Sequence, residues 1–430
     1  MPKLVALLIG AATASARIQG RSTWTALFAA LVRRGHGDEA QRRSPAGPSS
    51  THHPREERPD PMTSTAPAPA PAAHASTGPA PAAPTELPST ELPGAELERR
   101  IAQDPGSFRV LTGDRPTGPL HLGHYFGSLL NRVRLQNLGV DVIVLIPDYQ
   151  VITDRDTAER LGEYTDGLLL DYLALGIDPA RSTVFCHSAV PALNQLMLPF
   201  LSLVSVAELN RNPTVKDEIA HSRQSAVSGL MLTYPVHQAA DILSCKGNLV
   251  PVGRDQAPHL EVTRTIARRF NERYGDVFQE PEIMLSAAPL LLGTDGTKMS
   301  KSRANSVPLG ATADETARLI KGATTDADRH ITYDPDARPN VSSLVLLAAL
   351  SLERDPHEVA AEIGDGGAAA LKRTVTDAVN SHLAPFRARR AEYAKDLTYV
   401  RSVLRAGNER ANALAEATLD EVREAMGAFR

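Results

Sequence analysis

Short apolar runs alternate with helical patterns over residues 95–306. The runs that predict strands lie at 109–112, 141–146, 182–186 and 248–252. The second has the sequence DVIVLI, an unbroken apolar run typical of strands that are covered on both faces. The segments between the runs have the period of helices. This alternation predicts an α/β fold, a Rossmann-like doubly wound parallel sheet with helical crossovers.

The strand pattern ends near residue 307. Helical periodicity continues through 344–352, 368–393, 397–406 and 409–429, and Gly407-Asn408 predicts a break between the last two helices. We therefore expect a catalytic domain at residues 94–306 and an all-α C-terminal domain at residues 307–430.

Residues 1–93 have a different composition from the rest of the chain. They contain 14 of its 32 prolines, and residues 44–93 are rich in Pro, Ala, Ser and Thr with few bulky apolar side chains. Such a segment cannot bury enough surface to offset the entropy of ordering. The composition predicts a disordered N-terminal extension.

Charge and cysteine content exclude several classes of protein. The chain has 46 Lys and Arg against 50 Asp and Glu, a net charge of −4, which argues against a protein that coats nucleic acid but permits a local basic patch. The two cysteines, Cys186 and Cys245, cannot build a disulfide framework, and neither lies in a C-x-x-C pair. No apolar run approaches the ~18 residues of a membrane helix, so no membrane association is expected.

A Gly/Pro-rich loop follows the first predicted strand and contains His121-Leu122-Gly123-His124, an HxGH pattern. The backbone N–H groups at a helix start favour phosphate, and two imidazoles three residues apart can donate to phosphate oxygens. Gly123 permits a nucleotide to approach the backbone. The alternative is an ordinary turn with two exposed histidines.

A second loop, GTDGTKMSKS at residues 293–302, carries two lysines three residues apart. A loop with two ammonium groups can close on a polyphosphate and neutralise the charge that develops on a leaving pyrophosphate. The alternative is a solvated linker between domains.

The two patterns, in this order, resemble the HIGH and KMSKS signatures of the class I aminoacyl-tRNA synthetases. Between them, residues 233–243 have the sequence TYPVHQAADIL, and residues 250–256 have VPVGRDQ, followed by an H-x-E-x-x-R pattern from His259. This run resembles the tryptophanyl-tRNA synthetases. The resemblance covers about residues 109–430.

The resemblance implies a tryptophan–tRNA ligase. Such an enzyme activates L-tryptophan with ATP, releases pyrophosphate and transfers tryptophan to tRNA(Trp), with Mg²⁺ accompanying ATP and no metal site in the protein. It also implies a homodimer and a cytoplasmic location. Two alternatives stay open, a tyrosine–tRNA ligase and a non-catalytic paralogue that binds tRNA or tryptophan as a regulatory module.

The resemblance also implies site residues. The expected catalytic residues are His121, His124, Lys298 and Lys301. The expected ATP-binding residues are Arg115, Pro116, Thr117, Gly123, His124, Gly253, Arg254, Asp255, Leu290, Lys298, Met299, Ser300, Lys301 and Ser302. The expected tryptophan-binding residues are Gln150, Tyr234, Gln238, Asp241 and Gln256.

Asp241 has a physical reason to select tryptophan. An indole has one polar group, its N–H donor, so a site that prefers tryptophan needs an acceptor in apolar surroundings. Asp241 lies between Ala239-Ala240 and Ile242-Leu243 and supplies one. The alternative is an Asp on a helix surface or at an N-cap.

The C-terminal helices carry a basic stretch that could contact tRNA phosphates, or that could be a solvated helix face. Its members are Arg387, Arg389, Arg390, Lys395, Arg401 and Arg405.

Overall fold

The computed structural model describes residues 93–153, 160–221, 227–253, 257–285, 290–301 and 303–428. Apart from Pro93, the predicted N-terminal extension lies outside the described residues. Within these ranges, no helix is long and apolar enough to cross a bilayer.

The described strands form one parallel sheet. They are β1 (Arg109–Gly113), β2 (Asp141–Ile146), β3 (Thr183–Cys186), β4 (Leu249–Val252) and β5 (Glu282–Leu285). Their order is β3-β2-β1-β4-β5, and each neighbouring pair is parallel. From β1 the chain adds β2 and β3 on one side of the sheet and then crosses to place β4 on the other side of β1. The strand order therefore reverses between β1 and β4, which is a topological switch point. The predicted α/β doubly wound fold is confirmed, and β5 is a short edge strand that the apolar pattern missed.

Helices cover the sheet and continue beyond it. Those of the sheet region are α1 (Pro93–Gln103), α2 (Leu122–His124), α3 (Leu130–Leu138), α4 (Leu161–Leu175), α5 (Pro191–Leu201), α6 (Val206–Arg211), α7 (Pro213–His221), α8 (Gly229–Ser244) and α9 (Ala257–Tyr274). Those that follow are α10 (Ala313–Lys321), α11 (Pro339–Leu352), α12 (Pro356–Ile363), α13 (Gly367–Tyr393) and α14 (Leu397–Ala425).

Local signals explain where the site-bearing helices begin and end. A π-helical segment, Tyr125–Leu129, joins α2 to α3, a local widening that is frequent at functional sites. Gly139 ends α3 in the left-handed conformation, with φ 102°, which a glycine adopts without steric cost. Ser228 begins α8, and its side chain accepts a hydrogen bond from the Met231 N–H at 3.0 Å.

Alternating strand residues feed two hydrophobic cores, one on each face of the sheet. In β2, Val142 and Val144 belong to the core that contains α4 and α13, whereas Ile143 and Leu145 belong to the core that contains α5 and α8. Both faces are therefore covered, which is why the sequence of β2 is apolar throughout.

The C-terminal helices share these cores with the sheet. Val379 of α13 lies in the first core and Ala415 of α14 in the second. Tyr125 Oη also lies 2.9 Å from His382 Nε2 of α13, which links the start of the first crossover to the helical region. The domain boundary at residues 306 and 307 stays a prediction.

The predicted break at Gly407-Asn408 is wrong, because α14 runs without interruption from Leu397 to Ala425. Gly407 lies against β3, where a Cβ atom would come within 1.9 Å of the Val184 carbonyl oxygen. The glycine therefore permits close packing of helix on strand rather than ending the helix.

Several arginines of the predicted basic stretch make contacts within the molecule, and contact of this stretch with tRNA phosphates stays a prediction. Arg390 Nε donates to Asp171 Oδ1 at 2.6 Å, and Arg389 Nε donates to the Ala174 carbonyl at 2.7 Å. Arg401 pairs with Asp166 at 2.6 Å. These arginines bind α4 and so attach α13 and α14 to the sheet region.

Candidate active site

The HxGH segment lies at the carboxyl end of β1. The His121 N–H donates to His124 Nδ1 at 3.3 Å, and the two imidazole rings lie 3.8 Å apart at an angle of 45°. Because His124 Nδ1 accepts this bond, its Nε2 carries the ring hydrogen and is a donor.

Burial keeps both imidazoles neutral near pH 7. It lowers the pKa of His121 to about 3, with further lowering by His124 and Lys301. Burial also lowers the pKa of His124 to about 4, against the opposing charge of Asp114. The two rings are therefore uncharged hydrogen-bonding groups, and the positive charge of this region comes from lysine and arginine.

A buried ion pair lies close to the two HxGH histidines. Arg132 Nη1 lies 2.6 Å from Asp114 Oδ2, and Tyr172 Oη donates to the same oxygen at 2.8 Å. Burial by itself would raise the pKa of Asp114, but Arg132 and then His124 hold it below its usual value. The sequence analysis missed this group, because nothing in the chain signals that Arg132 faces Asp114.

The KMSKS loop contacts the HxGH loop. Lys301 Nζ donates to the Arg115 carbonyl at 3.0 Å. A Cβ atom on Gly123 would lie 3.5 Å from Met299 Sδ and 3.1 Å from the His121 ring. The absence of a side chain at this glycine therefore lets the two motifs pack closely. Burial lowers the pKa of Lys301, while Asp114 acts in the opposite direction. Two motifs that lie far apart in sequence thus meet at one edge of the sheet.

Asn305 organises the KMSKS loop and was not predicted. This buried side chain accepts from the Ser300 N–H at 2.9 Å and donates to the Lys298 carbonyl at 3.1 Å. A Cβ atom on Gly293 would come within 2.5 Å of its amide nitrogen. The loop backbone is therefore shaped by one amide, whereas the Lys298 side chain itself is exposed.

Helix α8 carries the predicted amino-acid residues. The hydroxyl of Tyr234 lies 2.7 Å from His259 Nε2. Burial raises the pKa of that hydroxyl, Glu218 adds to the rise, and the positive charge of Arg115 opposes it. Gln238 lies one turn further along and is half-buried.

Asp241 is buried in the second half of α8, with 1 % of its surface exposed. One carboxylate oxygen is hydrogen-bonded to His187 Nε2, and the other accepts from Gln150 Nε2 at 3.4 Å. The sequence analysis placed Gln150 here but missed His187.

His187, His237 and Asp241 form a buried cluster whose ligand atoms lie within 4.8 Å of one another, a set that could hold a metal ion. His237 Nε2 lies 3.0 Å from Asn194 Oδ1, and its ring centroid lies 4.5 Å from that of His187. The nitrogen of His187 that faces Asp241 is already engaged with its carboxylate. Without a metal ion, the cluster is therefore already held together by hydrogen bonds.

The remaining predicted residues fall into two sets. Pro116 is buried and Thr117 is half-buried in the loop before α2, while Gly253, directly after β4, and Leu290 are exposed. The other predicted residues lie outside the described residues; they are Arg254, Asp255, Gln256 and Ser302.

Residues 103–384 match the family model of the class I tRNA synthetases (W and Y). The tryptophan–tRNA ligase of Streptococcus agalactiae serotype V is 43% identical over 332 residues, which cover 74% of this chain and 97% of that protein. The tryptophan–tRNA ligase of Lactococcus lactis subsp. lactis is 42% identical over the same shares. These relatives do not favour the tyrosine or the non-catalytic alternative.

Solved structures agree with this match. The crystal structure of tryptophanyl-tRNA synthetase from Campylobacter jejuni complexed with ADP and tryptophan has a TM-score of 0.66 and 28% identity, and the match covers 74% of this chain and 100% of that one. A tyrosyl-tRNA synthetase from Archaeoglobus fulgidus, at 21% identity and a TM-score of 0.55, shares the fold. With a family model that spans most of the described chain and relatives that align over nearly their whole length, this chain belongs to the tryptophan–tRNA ligase family of class I tRNA synthetases.

Proposed function

We propose that the protein activates tryptophan with ATP at the carboxyl edge of its sheet and transfers the tryptophan to tRNA(Trp). The observation that carries this proposal is the contact between the HxGH and KMSKS loops, through Lys301 and Arg115 and through Gly123 and Met299. That contact gathers neutral donors and positive charges at the switch point between β1 and β4, where doubly wound folds bind nucleotides.

ATP binding is assigned to the two loops. The HxGH backbone and its imidazoles face the phosphates, and the adenosine lies toward Gly253, Arg254, Asp255 and Leu290. Lys298 and Lys301 hold the polyphosphate, with Met299, Ser300 and Ser302 shaping the loop. Arg115, Pro116 and Thr117 complete the first loop. The exposure of Lys298 supports this assignment, because a group that captures a phosphate needs access to it.

Tryptophan binding is assigned to α8 and its surroundings. Asp241 accepts the indole N–H, and Gln150 and Gln238 line the same side. Tyr234 and Gln256 bind the amino and carboxylate groups. This arrangement is required because the carboxylate of tryptophan must reach the α-phosphate of ATP.

Activation proceeds by in-line displacement. A carboxylate oxygen of tryptophan attacks the α-phosphorus, the bond to the bridging oxygen breaks, and pyrophosphate leaves with the electron pair. His121 and His124 donate hydrogen bonds as neutral imidazoles, and the two lysines stabilise the charge that builds on the leaving group. No covalent enzyme nucleophile is required. A terminal tRNA hydroxyl then attacks the adenylate carbonyl, the bond from that carbon to the phosphate oxygen breaks, and AMP leaves while the hydroxyl proton is released.

Mg²⁺ supplies further charge neutralisation on the phosphates when it is bound with ATP. The carboxylate beside the two histidines, Asp114, already accepts hydrogen bonds from Arg132 and Tyr172. It therefore offers poor ligation, and we assign the ion to the phosphate oxygens of ATP rather than to a site in the protein.

Residues 307–430 are proposed to contact the tRNA anticodon. The internal use of Arg389, Arg390 and Arg401 leaves other groups of the helical region for that contact. A homodimer and a cytoplasmic location, where tRNA and ATP are available, belong to the same proposal.

The direct test is ATP–pyrophosphate exchange by the full chain, with tryptophan and tyrosine supplied separately. We expect exchange with tryptophan and almost none with tyrosine, followed by charging of tRNA(Trp) with labelled tryptophan. Exchange driven by tyrosine would contradict the assignment of α8, and no exchange by a folded protein would contradict the activity itself.

A further inference from the structure

The carboxylate of Asp241 is held on both sides. His187 Nε2 contacts Oδ1, and Gln150 Nε2 donates to Oδ2 at 3.4 Å. The His187 side chain has no exposed surface and comes from the end of β3, whereas Asp241 comes from α8. The pair therefore joins the sheet to the helix that carries the amino-acid residues.

Hydrogen-bond chemistry determines where the ring hydrogens lie. A carboxylate only accepts, so His187 Nε2 carries a hydrogen and donates it to Asp241. Asn194 Oδ1 also only accepts, so His237 Nε2 carries a hydrogen as well. Burial lowers the pKa of His237, with Asp241 and Asp148 opposing and His187 adding to the lowering, so its Nδ1 has no hydrogen.

Among the described residues, neither the Nδ1 atom of His187 nor that of His237 has a hydrogen-bond partner. Ring contacts add to the Nε2 hydrogen bonds, since the His187 centroid lies 6.4 Å from that of Tyr149 and 4.5 Å from that of His237. A buried cluster thus presents a carboxylate and the unpartnered Nδ1 of His237, and unsatisfied buried acceptors are costly. Its chemical complement is a group that donates and does not accept.

We propose that His187 is a positioning residue that determines specificity for the indole N–H. By donating to Asp241 it fixes the orientation of the carboxylate, whose remaining lone pairs can accept a further hydrogen bond. An indole N–H, a donor without a lone pair, satisfies such a cluster, whereas a phenol oxygen brings lone pairs of its own. This inference rests on the proposed function, in which Asp241 receives the indole.

The same acceptors could attract a divalent cation that binds imidazole, such as Zn²⁺. The indole is favoured because each oxygen of Asp241 already has a donor, from His187 and from Gln150. A metal would have to displace the first of these bonds, whereas an N–H can share a carboxylate oxygen that has further lone pairs.

The test compares tryptophan with 3-benzothienylalanine, in which sulfur replaces the indole N–H. The value of kcat/KM in ATP–pyrophosphate exchange is measured for both substrates with the wild-type chain, His187→Phe and His187→Gln. We expect His187→Phe to reduce the preference for tryptophan about 10- to 100-fold, the equivalent of one hydrogen bond to a charged group. The value for the sulfur analogue should change little, and His187→Gln, which keeps a donor, should retain part of the preference.

The matched control is His330→Phe, which removes a histidine from an exposed pair with Asp365 in the helical region and should leave both substrates unchanged. An equal fall for both substrates in His187→Phe would show a purely structural role and overturn the inference. Bound Zn²⁺ in the purified wild-type chain that is lost in His187→Phe would also overturn it. Failure of the proposed function is distinct, because the wild-type chain would then show no exchange with tryptophan.

Discussion

The two halves of the candidate site differ in the kind of structure that carries them. The phosphate half consists of loops, with an exposed Lys298 and a backbone shaped by Asn305. The indole half is built on α8 and the end of β3, with Asp241 and His187 fully enclosed. The difference follows from the substrates, since a polyphosphate needs mobile charges that can reach it and an indole needs acceptors in a dry environment.

The largest expected effect is a fall in kcat when the phosphate half loses a lysine. Lys301→Ala removes an ammonium group that lies against the HxGH loop, and we expect kcat for exchange to fall about 100- to 1,000-fold, because charge stabilisation is lost at the leaving group. KM for tryptophan should change little. The control is Lys395→Ala, in an exposed pair with Glu392. A change in KM for tryptophan alone would contradict the separation of the two halves.

The next largest effect is a rise in KM for tryptophan when the indole half loses an acceptor. Asp241→Asn keeps the volume but replaces one acceptor oxygen with a donor that faces His187 or Gln150. We expect KM for tryptophan to rise about 10- to 100-fold, with KM for ATP unchanged, as measured by exchange at varied substrate concentrations. Asp166→Asn, at the surface of α4, is the matched control. An unchanged KM for tryptophan would remove Asp241 from the binding site.

The pH dependence of the free energy of unfolding tests the burial of His121 and His124, which belong to the phosphate half. Their folded pKa values of about 3 and about 4 lie below the ordinary value of 6.5, so the unfolded chain binds more protons. The free energy of unfolding should therefore fall as pH drops from about 6.5 toward 4, by roughly 3 kcal/mol for each histidine. Urea unfolding of wild type and His124→Asn measures it, and the variant should show a smaller slope than His330→Asn. Parallel slopes would contradict the inferred burial.

The smallest expected effect concerns the helical region outside both halves. Arg401→Ala and Asp166→Ala each break the same exposed pair between α14 and α4. Because such pairs contribute little, we expect KM for tRNA in aminoacylation to change less than about twofold in both variants. A tenfold rise for Arg401→Ala that Asp166→Ala does not reproduce would restore a phosphate-contacting role for this arginine.

Local chemistry made much of the site predictable. The apolar runs predicted four strands, since strands covered on both faces must be apolar, and the glycine and lysine content of the two loops indicated phosphate chemistry. Asp241 stood out because a carboxylate is rare in an apolar helix. His187 and Arg132 carried no such signal, because their partners Asp241 and Asp114 are distant in sequence. Asn305 lies close in sequence to its partners, but no local pattern shows that its side chain turns back into the loop.

The helical region shows where the same reasoning failed. Gly407 followed by Asn408 is typical of a helix end, yet close packing against Val184 decides its role. The arginines of α13 and α14 form a basic stretch in sequence, but Asp166 and Asp171 of α4 receive two of them. Local patterns cannot distinguish a charge that meets solvent from one that meets another helix.

The sequence by itself determined the alternation of strands and helices, the two motif-bearing loops and the family, because each depends on residue type and local spacing. Only the tertiary structure decided that Lys301 contacts the Arg115 carbonyl, that Arg132 holds Asp114, and that His187 supports Asp241. The physical reason is that hydrogen bonds and ion pairs act over a few ångströms in space, whatever the separation along the chain.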